Sequence, residues 1–250
     1  MRILYLDCAM GAAGDMLTAA LLELLPQPEE FIEELNSLGI PNTLFEMKNI
    51  AKCGITGTLV SVKIYEEEEG NNHKHGHEHV HNTLHGIEHI LGHMQVPEKI
   101  RNDVMCVYKI IADAEGKAHG VPVSEIHFHE VGTLDAIADI TAVCMLIDKL
   151  SPEKIIVSPI HVGYGQVKCM HGILPVPAPA TAHILQGCPI YGGTIKGELC
   201  TPTGAALLKY FADSFGEMPV MSVSNIGYGM GKKDFEAVNC VRALLGETIT

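Results

Sequence analysis

The amino-acid sequence predicts an α/β or α+β protein in which a mixed β-sheet packs against helices. Strand-like and helix-like patterns alternate along the 250 residues without a long repeat. The first strand, at residues 2–7, is followed by a glycine-containing loop and a strong helix. A low-complexity, histidine-rich stretch then suggests a division into two lobes. We expect an N-terminal lobe at 1–68, a mobile histidine-rich loop at 69–83, and a main lobe with a helical hairpin at 84–250.

The other elements follow from periodicity and from residues that end helices. Gly39 and Gly120 stand where two helical patterns stop, as glycine commonly does after a helix. Helices are predicted at residues 17–22, 28–38, 84–94, 97–119, 133–150 and 179–186, and from 202 onward. Two or three strands are predicted within residues 43–66, another at 155–157, and more within 220–246.

Composition excludes several classes of protein. With 47% hydrophobic and 19% charged residues the chain is globular, and no apolar run approaches the ~20 residues of a membrane span. The formal charge of −13 disfavours a nucleic-acid surface and attracts cations. The eight cysteines include no CxxC pair, which argues against a zinc ribbon or an iron–sulfur cluster and fits a reducing compartment. We expect a cytoplasmic protein without membrane or nucleic-acid partners.

Residues 125–139 concentrate imidazoles and carboxylates. His127 and His129 are two apart, so an extended chain points both to one face, and Glu130 follows directly. Asp135 and Asp139 are four apart and share one face of a helix, for which Thr133 is a candidate N-cap. This pattern suits a metal site or a proton-transfer site. The alternative is a buried histidine beside aspartates that favour the helix dipole.

A histidine tract precedes this stretch. Its first half alternates histidine with other residues, and its second half places histidines one helical turn apart, opposite an apolar face. Such a stripe can chelate a divalent ion, although imidazole does not select among nickel, copper, zinc and cobalt. The alternative is a solvated tract that binds metal only adventitiously. The candidate metal ligands are His73, His75, His77, His79, His81, His85, His89 and His93.

Two strand-to-helix junctions could bind an anion such as phosphate. The first runs from Asp7 through Gly11 and Gly14 to Asp15, and a tight turn explains it equally well. The second places Thr201 as the N-cap of a helix that begins at Pro202, with the Thr203 hydroxyl nearby. Capping alone also explains this junction.

Further side chains that can bind a ligand or act as bases lie on predicted loops in the second half of the chain. His161, Lys168, Cys169 and His171 precede prolines 175, 177 and 179, which force an extended path. As a set they favour a pocket wall, although each alone could be a surface residue. A later glycine turn carries Lys232 and Lys233, which suit either an anionic ligand or a simple hairpin.

Taken together, these motifs resemble the LarC family of nickel-insertion proteins. The matching pieces are residues 7–16, the histidine tract, 127–132 with Asp135 and Asp139, 171–181, and 198–206, in the order of the family. The resemblance implies nickel insertion into pyridinium-3,5-bisthiocarboxylic acid mononucleotide, with CTP hydrolysis, to form the nickel-pincer cofactor of lactate racemase. It would make the protein a nickel chelatase of the lyase class.

The resemblance also implies roles for particular residues. His127 or His129 would be the general base that takes the ring proton, or a transient nickel ligand. Glu130, Asp135 and Asp139 would orient imidazoles or hold a divalent ion. The histidine tract would deliver nickel. The mononucleotide phosphate would lie at the glycine loop with Asp7, Gly11, Gly14 and Asp15, or at the junction with Thr201 and Thr203. His171 would also bind the mononucleotide.

The family usually continues into a C-terminal domain associated with nucleotide binding and oligomerisation. We therefore expect CTP, with Mg or Mn, to bind through that domain, and the complete protein to be a homo-oligomer. No P-loop pattern is present in this chain. Two alternative functions stay open: a non-enzymatic nickel metallochaperone or storage protein, and an unrelated metal-dependent enzyme that acts on phosphate esters.

Overall fold

The computed structural model describes residues 1–65, 83–128 and 133–249. Within these ranges the strands are β1 (Arg2–Asp7), β2 (Thr43–Lys52), β3 (Ile55–Ile64), β4 (Lys154–Val157), β5 (Ile160–His161), β6 (Gly163–Tyr164), β7 (Gln166–Cys169), β8 (Gly172–Pro175), β9 (Ile190–Tyr191), β10 (Gly197–Glu198), β11 (Ser214–Phe215), β12 (Met221–Met230) and β13 (Cys240–Thr248). The α-helices are α1 (Gly14–Leu22), α2 (Pro28–Asn36), α3 (Leu84–His93), α4 (Glu98–His119), α5 (Leu134–Leu150), α6 (Pro179–Ile184) and α7 (Pro202–Phe211).

Seven of the described strands form one mixed sheet in the order β11-β4-β1-β13-β12-β3-β2. Strand β1 is parallel to β4 and antiparallel to β13, which is in turn antiparallel to β12. Strand β3 joins β12 in parallel, and β2 is its antiparallel partner at the sheet edge. The predicted α/β class with a mixed sheet is therefore confirmed. The boundaries of the two predicted lobes stay a prediction, and strands from both share this sheet.

The first strand lies in the middle of the sheet and is buried on both faces. Leu4 and Leu6 belong to the large core formed with the helices. Ile3 and Tyr5, which alternate with them, pack on the opposite face with residues of β4 and β13. This explains why residues 2–7 read as a continuous apolar run rather than as an alternating pattern.

Helix α1 lies directly on the backbone of β12 because two strand residues lack side chains. A Cβ on Gly227 would lie 2.0 Å from the Ala20 carbonyl oxygen, and one on Gly229 would lie 1.9 Å from that of Met16. Glycine within a strand often marks such a close backbone approach. This contact fixes the position of the start of α1 relative to the end of β12, which leads into residues 231–239. It thereby also fixes the position of the loop that precedes α1.

Helix α5 lies largely within the core, since twelve of its seventeen residues are buried. It packs against α1 and α4. Thr133 occupies its N-cap position with an extended backbone, but its side chain makes no capping hydrogen bond, contrary to the expectation.

Helix α4 ends as predicted at Gly120, which is left-handed with φ of 69°. No helix in the described ranges is both long and apolar enough to cross a membrane.

Candidate functional site

The two predicted anion-binding junctions are neighbours in space. The Ala12 amide, in the β1–α1 loop, donates to the Leu199 carbonyl at 3.1 Å, and the Thr201 amide donates to the Ala12 carbonyl at 3.0 Å. A parallel β-bridge joins Ala12 to Cys200. The N-termini of α1 and α7 therefore open side by side, and the two alternative phosphate sites form one wall.

Two glycines allow this close approach. Gly11 has φ of +78°, and a Cβ there would lie 2.1 Å from the Leu199 carbonyl oxygen. A Cβ on Gly204 would lie 2.3 Å from the carbonyl oxygen of Ala12. The absence of a side chain at Gly11 is thus required by backbone packing, and Gly11 does not border the cavity described next. Its predicted contact with phosphate stays a prediction.

A cavity of about 300 Å³ lies in front of the two junctions. Helix α1, the start of α5, the β10–α7 junction and the β12–β13 connection each supply part of its wall. The lining residues are Ala13, Gly14, Asp15, Met16, Asp135, Ala136, Asp139, Glu198, Leu199, Thr201, Pro202, Thr203, Gly231, Lys232, Lys233, Phe235 and Asn239. Six of the predicted site residues thereby meet in one cavity: Gly14, Asp15, Asp135, Asp139, Thr201 and Thr203.

Of the charged groups that line this cavity, the carboxyl groups of Asp15, Asp135 and Asp139 act on the ammonium group of Lys232. Asp15 Oδ2 lies 3.2 Å from Lys232 Nζ, while Asp15 Oδ1 accepts the Met16 amide at 2.8 Å. Asp139 Oδ1 is buried and has no hydrogen-bond partner among the described residues. Asp135, one turn earlier on α5, is more exposed. Within the part of the chain that the structure describes, the cavity therefore holds the ion pair of Asp15 and Lys232 beside a buried carboxyl oxygen that lacks a hydrogen-bond partner.

The surroundings of Asp139 change its acidity. Burial raises the pKa of Asp139 well above its ordinary value, the charges of Asp15 and Asp135 raise it further, and Lys232 opposes them. Burial acts to lower the pKa of Lys232, but the carboxylates outweigh burial and raise it. Gly14 makes the burial possible, because a Cβ at this position would lie 2.7 Å from the Asp139 Cβ. The site therefore pairs a firmly charged cation with a weakly acidic carboxyl group.

The connection between β12 and β13 brings Lys232 and Lys233 to the cavity. The Gly231 amide donates to the Asn239 carbonyl at 2.9 Å, and the Asn239 side-chain amide donates to the Lys233 carbonyl at 2.9 Å. Lys52 Nζ, from β2, donates to the same Lys233 carbonyl at 2.9 Å. The sequence showed two cations in a glycine turn, but nothing in it linked that turn to the carboxylates or indicated a role for Asn239.

A second cavity of about 480 Å³ adjoins the first, and Glu198, Pro202 and Lys233 line both. Its wall includes the turn of the β7–β8 hairpin and the last turn of α4. The other lining residues are Glu115, Ala118, His119, Val167, Lys168, Cys169, His171, Leu174, Ala178, Pro179 and Ala180. Lys168, Cys169 and His171, which the sequence placed on a pocket wall, thus meet there.

Other predicted residues lie away from both cavities. Asp7 accepts from Arg242 Nε at 2.9 Å and from the Ala9 amide at 3.1 Å. His127 is exposed and lines neither cavity, so its catalytic role stays a prediction. His161, expected on the pocket wall, is instead buried in the fold, where its ring nitrogens lie 2.8 Å and 3.0 Å from the carbonyl oxygens of Ala9 and Gly192.

The second half of the histidine tract lies on α3. His85, His89 and His93 are exposed on the side opposite the buried Ile87 and Ile90, as the periodicity predicted. The rings of His89 and His93 are 4.5 Å apart between centroids. The remaining predicted residues lie outside the described ranges: His73, His75, His77, His79, His81, His129 and Glu130.

Comparison with known proteins bears on what these cavities serve. A family model described as nickel insertion protein matches residues 4–250. A Clostridium kluyveri protein named pyridinium-3,5-bisthiocarboxylic acid mononucleotide nickel insertion protein is 44% identical over 250 residues, which cover 99% of this chain and 62% of that protein. Proteins of the same name from Geobacillus kaustophilus and Desulfitobacterium hafniense are 39% and 40% identical, with 99% of this chain and 60% and 59% of those proteins covered.

The chain thus spans about three-fifths of the length of these curated relatives. No solved structure matches it. The family model covers nearly the whole sequence, and the relatives agree with it across nearly all of the chain. This chain therefore belongs to the nickel insertion protein family.

Proposed function

We propose that this chain provides the substrate-binding and nickel-inserting part of an enzyme that metallates pyridinium-3,5-bisthiocarboxylic acid mononucleotide. The observation that carries the proposal is the first cavity, in which two helix N-termini, Lys232, Lys233 and a weakly acidic Asp139 meet. Family membership and the names of the relatives support the metal and the substrate. The product would be the nickel-pincer cofactor of lactate racemase.

The phosphate of the mononucleotide is assigned to the joint wall formed by α1 and α7. Backbone N–H groups at a helix N-terminus have no intrahelical partners and favour an anion. The two adjacent lysines supply the charge that a phosphate needs in a protein with a net charge of −13. The hydroxyls of Thr201 and Thr203, which line the same cavity, can donate to phosphate oxygens.

The pyridinium ring is assigned to the side of the cavity that contains Asp139. When nickel binds the ring carbon, the C–H bond breaks, a Ni–C bond forms, and the proton passes to a base while nickel stays divalent. Asp139 is the base we assign, since a carboxylate with a raised pKa holds an accepted proton more firmly than an ordinary carboxylate. Asp15 and Asp135 tune its basicity. His127, His129 and Glu130 are the alternative proton acceptors or transient ligands suggested by the sequence.

The remaining parts of the reaction follow the resemblance to the family. Nickel would be collected by the histidine tract, of which the exposed stripe on α3 is the described part. CTP, with Mg or Mn, would act through the further domain that the family carries, which would also form the homo-oligomer. A nickel store without catalysis is the second candidate function, and the exposed imidazole stripe is the observation in its favour.

Nickelation of the purified precursor tests the proposal. The chain is incubated with nickel, CTP and the thiocarboxylated mononucleotide, with and without a supplied C-terminal domain of the family, and the nickelated product is detected by mass. We expect product in the supplemented reaction. A chain that lacks residues 71–82 should still form product at high nickel concentration, because the first cavity is intact. Absence of product from every supplemented reaction, with nickel binding confined to the tract, would favour the store.

Lys232→Met should weaken binding of the mononucleotide by about 10–100-fold, the usual worth of one hydrogen bond to a charged group. Binding of the matching nucleoside, which lacks the phosphate, should stay the same. Calorimetric titration of both ligands measures the difference. Lys63→Met is the matched control, since Lys63 pairs with Glu46 on the exposed β2–β3 ribbon. Equal losses for nucleotide and nucleoside would place the phosphate elsewhere.

A further inference from the structure

The second cavity contains a pair of histidines that the proposed mechanism does not use. His119 is the last residue of α4, and His171 lies in the turn of the β7–β8 hairpin. Their ring centroids are 4.7 Å apart with an interplanar angle of 52°. The fold has therefore brought together two imidazoles that are far apart in sequence, in a cavity of about 480 Å³.

The separation of the rings suits two ligands of one ion. Metal–nitrogen bonds to a borderline divalent ion such as zinc are about 2.0–2.1 Å long, so two imidazoles at right angles around one ion have centroids roughly 4.6 Å apart. A carboxylate also orients one of the rings, since Glu115 Oε2 lies 3.4 Å from His119 Nε2. Histidines that bind metals commonly give their other ring nitrogen to such a partner.

No three His, Cys, Asp or Glu side chains in the described part of the chain form a ready ligand set. An ion held by two imidazoles is bound reversibly and keeps coordination positions for water or for another ligand. Soft sulfur donors compete well for nickel, so an incoming thiocarboxylate can replace the water and withdraw the ion.

The position of the pair connects it to the proposed substrate site. Both cavities are lined by Glu198, Pro202 and Lys233. This shared wall would separate an ion at the histidine pair from the carboxylates of the first cavity. We propose that His119 and His171 form a nickel transfer site, which holds the ion between its capture by the histidine tract and its insertion into the substrate. This inference rests on the proposed function and names the path of the metal.

Nickel binding in the absence of substrate tests the inference. The parent is the full chain in which the eight tract histidines are replaced by Gln, so that the tract no longer dominates binding. Nickel chloride alone is the probe, and equilibrium dialysis gives the dissociation constant. We expect the parent to bind one nickel ion, and His119→Gln or His171→Gln to weaken that binding at least about tenfold. Glu115→Gln should weaken it by about tenfold through the loss of orientation.

His183→Gln is the matched control, since His183 is an exposed histidine on α6 that lines neither cavity. Circular dichroism and thermal unfolding establish that each variant is folded. A parent that binds no nickel, or variants at His119 and His171 that bind nickel within twofold of the parent, would overturn the inference. Nickelated product formed at the parental rate by such variants would reject the transfer site and leave the proposed function standing. Weakened nickel binding in the variants, with no product from either the parent or the variants in the supplemented reaction, would support the site and reject the function.

Discussion

Replacement of Asp139 by Asn is expected to slow nickel–carbon bond formation by about 10²–10⁴-fold, the range that general-base catalysis contributes. An amide cannot accept the ring proton, while its size keeps the contact with Gly14. Because the phosphate site is intact, binding of the mononucleotide should change little. Single-turnover nickelation followed by mass, together with a calorimetric titration of the substrate, separates the chemical step from binding.

The same substitution should change how stability depends on pH. Burial and the charges of Asp15 and Asp135 raise the pKa of Asp139 in the folded protein, so the unfolded chain releases its proton first as pH rises. The contribution of Asp139 to the free energy of unfolding is fully present below the pKa of an unfolded aspartate, about 3.9. It decreases as pH rises toward the pKa in the folded protein, by at most about 1.4 kcal/mol per pH unit. D139N removes this loss and should unfold at higher urea concentrations than the parent at neutral and alkaline pH.

Asp148→Asn, on the exposed side of the same helix, is the control for both effects. Asp148 forms a surface ion pair with Lys99, whose loss costs about 0–1 kcal/mol and touches neither cavity. Its nickelation rate should equal that of the parent. If D139N keeps the parental rate, the base is elsewhere, and His127 and His129 become the first residues to substitute. If D139N is instead less stable than the parent at alkaline pH, the Asp139 carboxylate is ionised and hydrogen-bonded in the folded protein.

The sequence predicted the parts of the site that depend on local periodicity. The four-residue spacing of Asp135 and Asp139 placed both on one helix face, and both line the first cavity. The apolar positions of α3 correctly placed His85, His89 and His93 on its outer side. Such patterns act through the geometry of a single element, so they can be read without knowing the fold.

Relations between distant elements could not be read in this way. Ala12 and Cys200 lie 188 positions apart, and the bridge between them helps to bring the two candidate phosphate sites together. Lys232 lies close to Asp15 because α1 packs directly on the glycines of β12. The sequence contains these glycines but does not show what they contact. The raised pKa of Asp139 likewise arises from burial and from the charge of Asp15, which is distant in the sequence. These features are properties of packing, which local propensity does not encode.

Gly204→Ala is expected to destabilise the protein by about 3 kcal/mol and to lower its melting temperature by about 6–12 °C. The new methyl group would lie 2.3 Å from the Ala12 carbonyl oxygen and 2.9 Å from the Ala13 amide nitrogen. These are backbone atoms, so neither can move aside by a rotamer change. The clash would separate α7 from the glycine loop and break the hydrogen bond from the Thr201 amide to the Ala12 carbonyl. Thermal unfolding followed by circular dichroism measures the loss.

The matched control is Gly92→Ala on α3, where a Cβ meets nothing within 4 Å. The same change of residue should there stabilise the protein by about 0.5–1 kcal/mol, since alanine has the higher helix propensity. Opposite signs for one chemical change would show that the cost at Gly204 comes from the contact between the two junctions. Because that contact forms the wall assigned to phosphate, G204A should also bind the mononucleotide more weakly at temperatures where it is folded. A parental melting temperature in G204A would mean that the junctions accommodate the methyl group without separating. A lowered melting temperature with parental affinity for the mononucleotide would mean that the assigned phosphate wall is wrong.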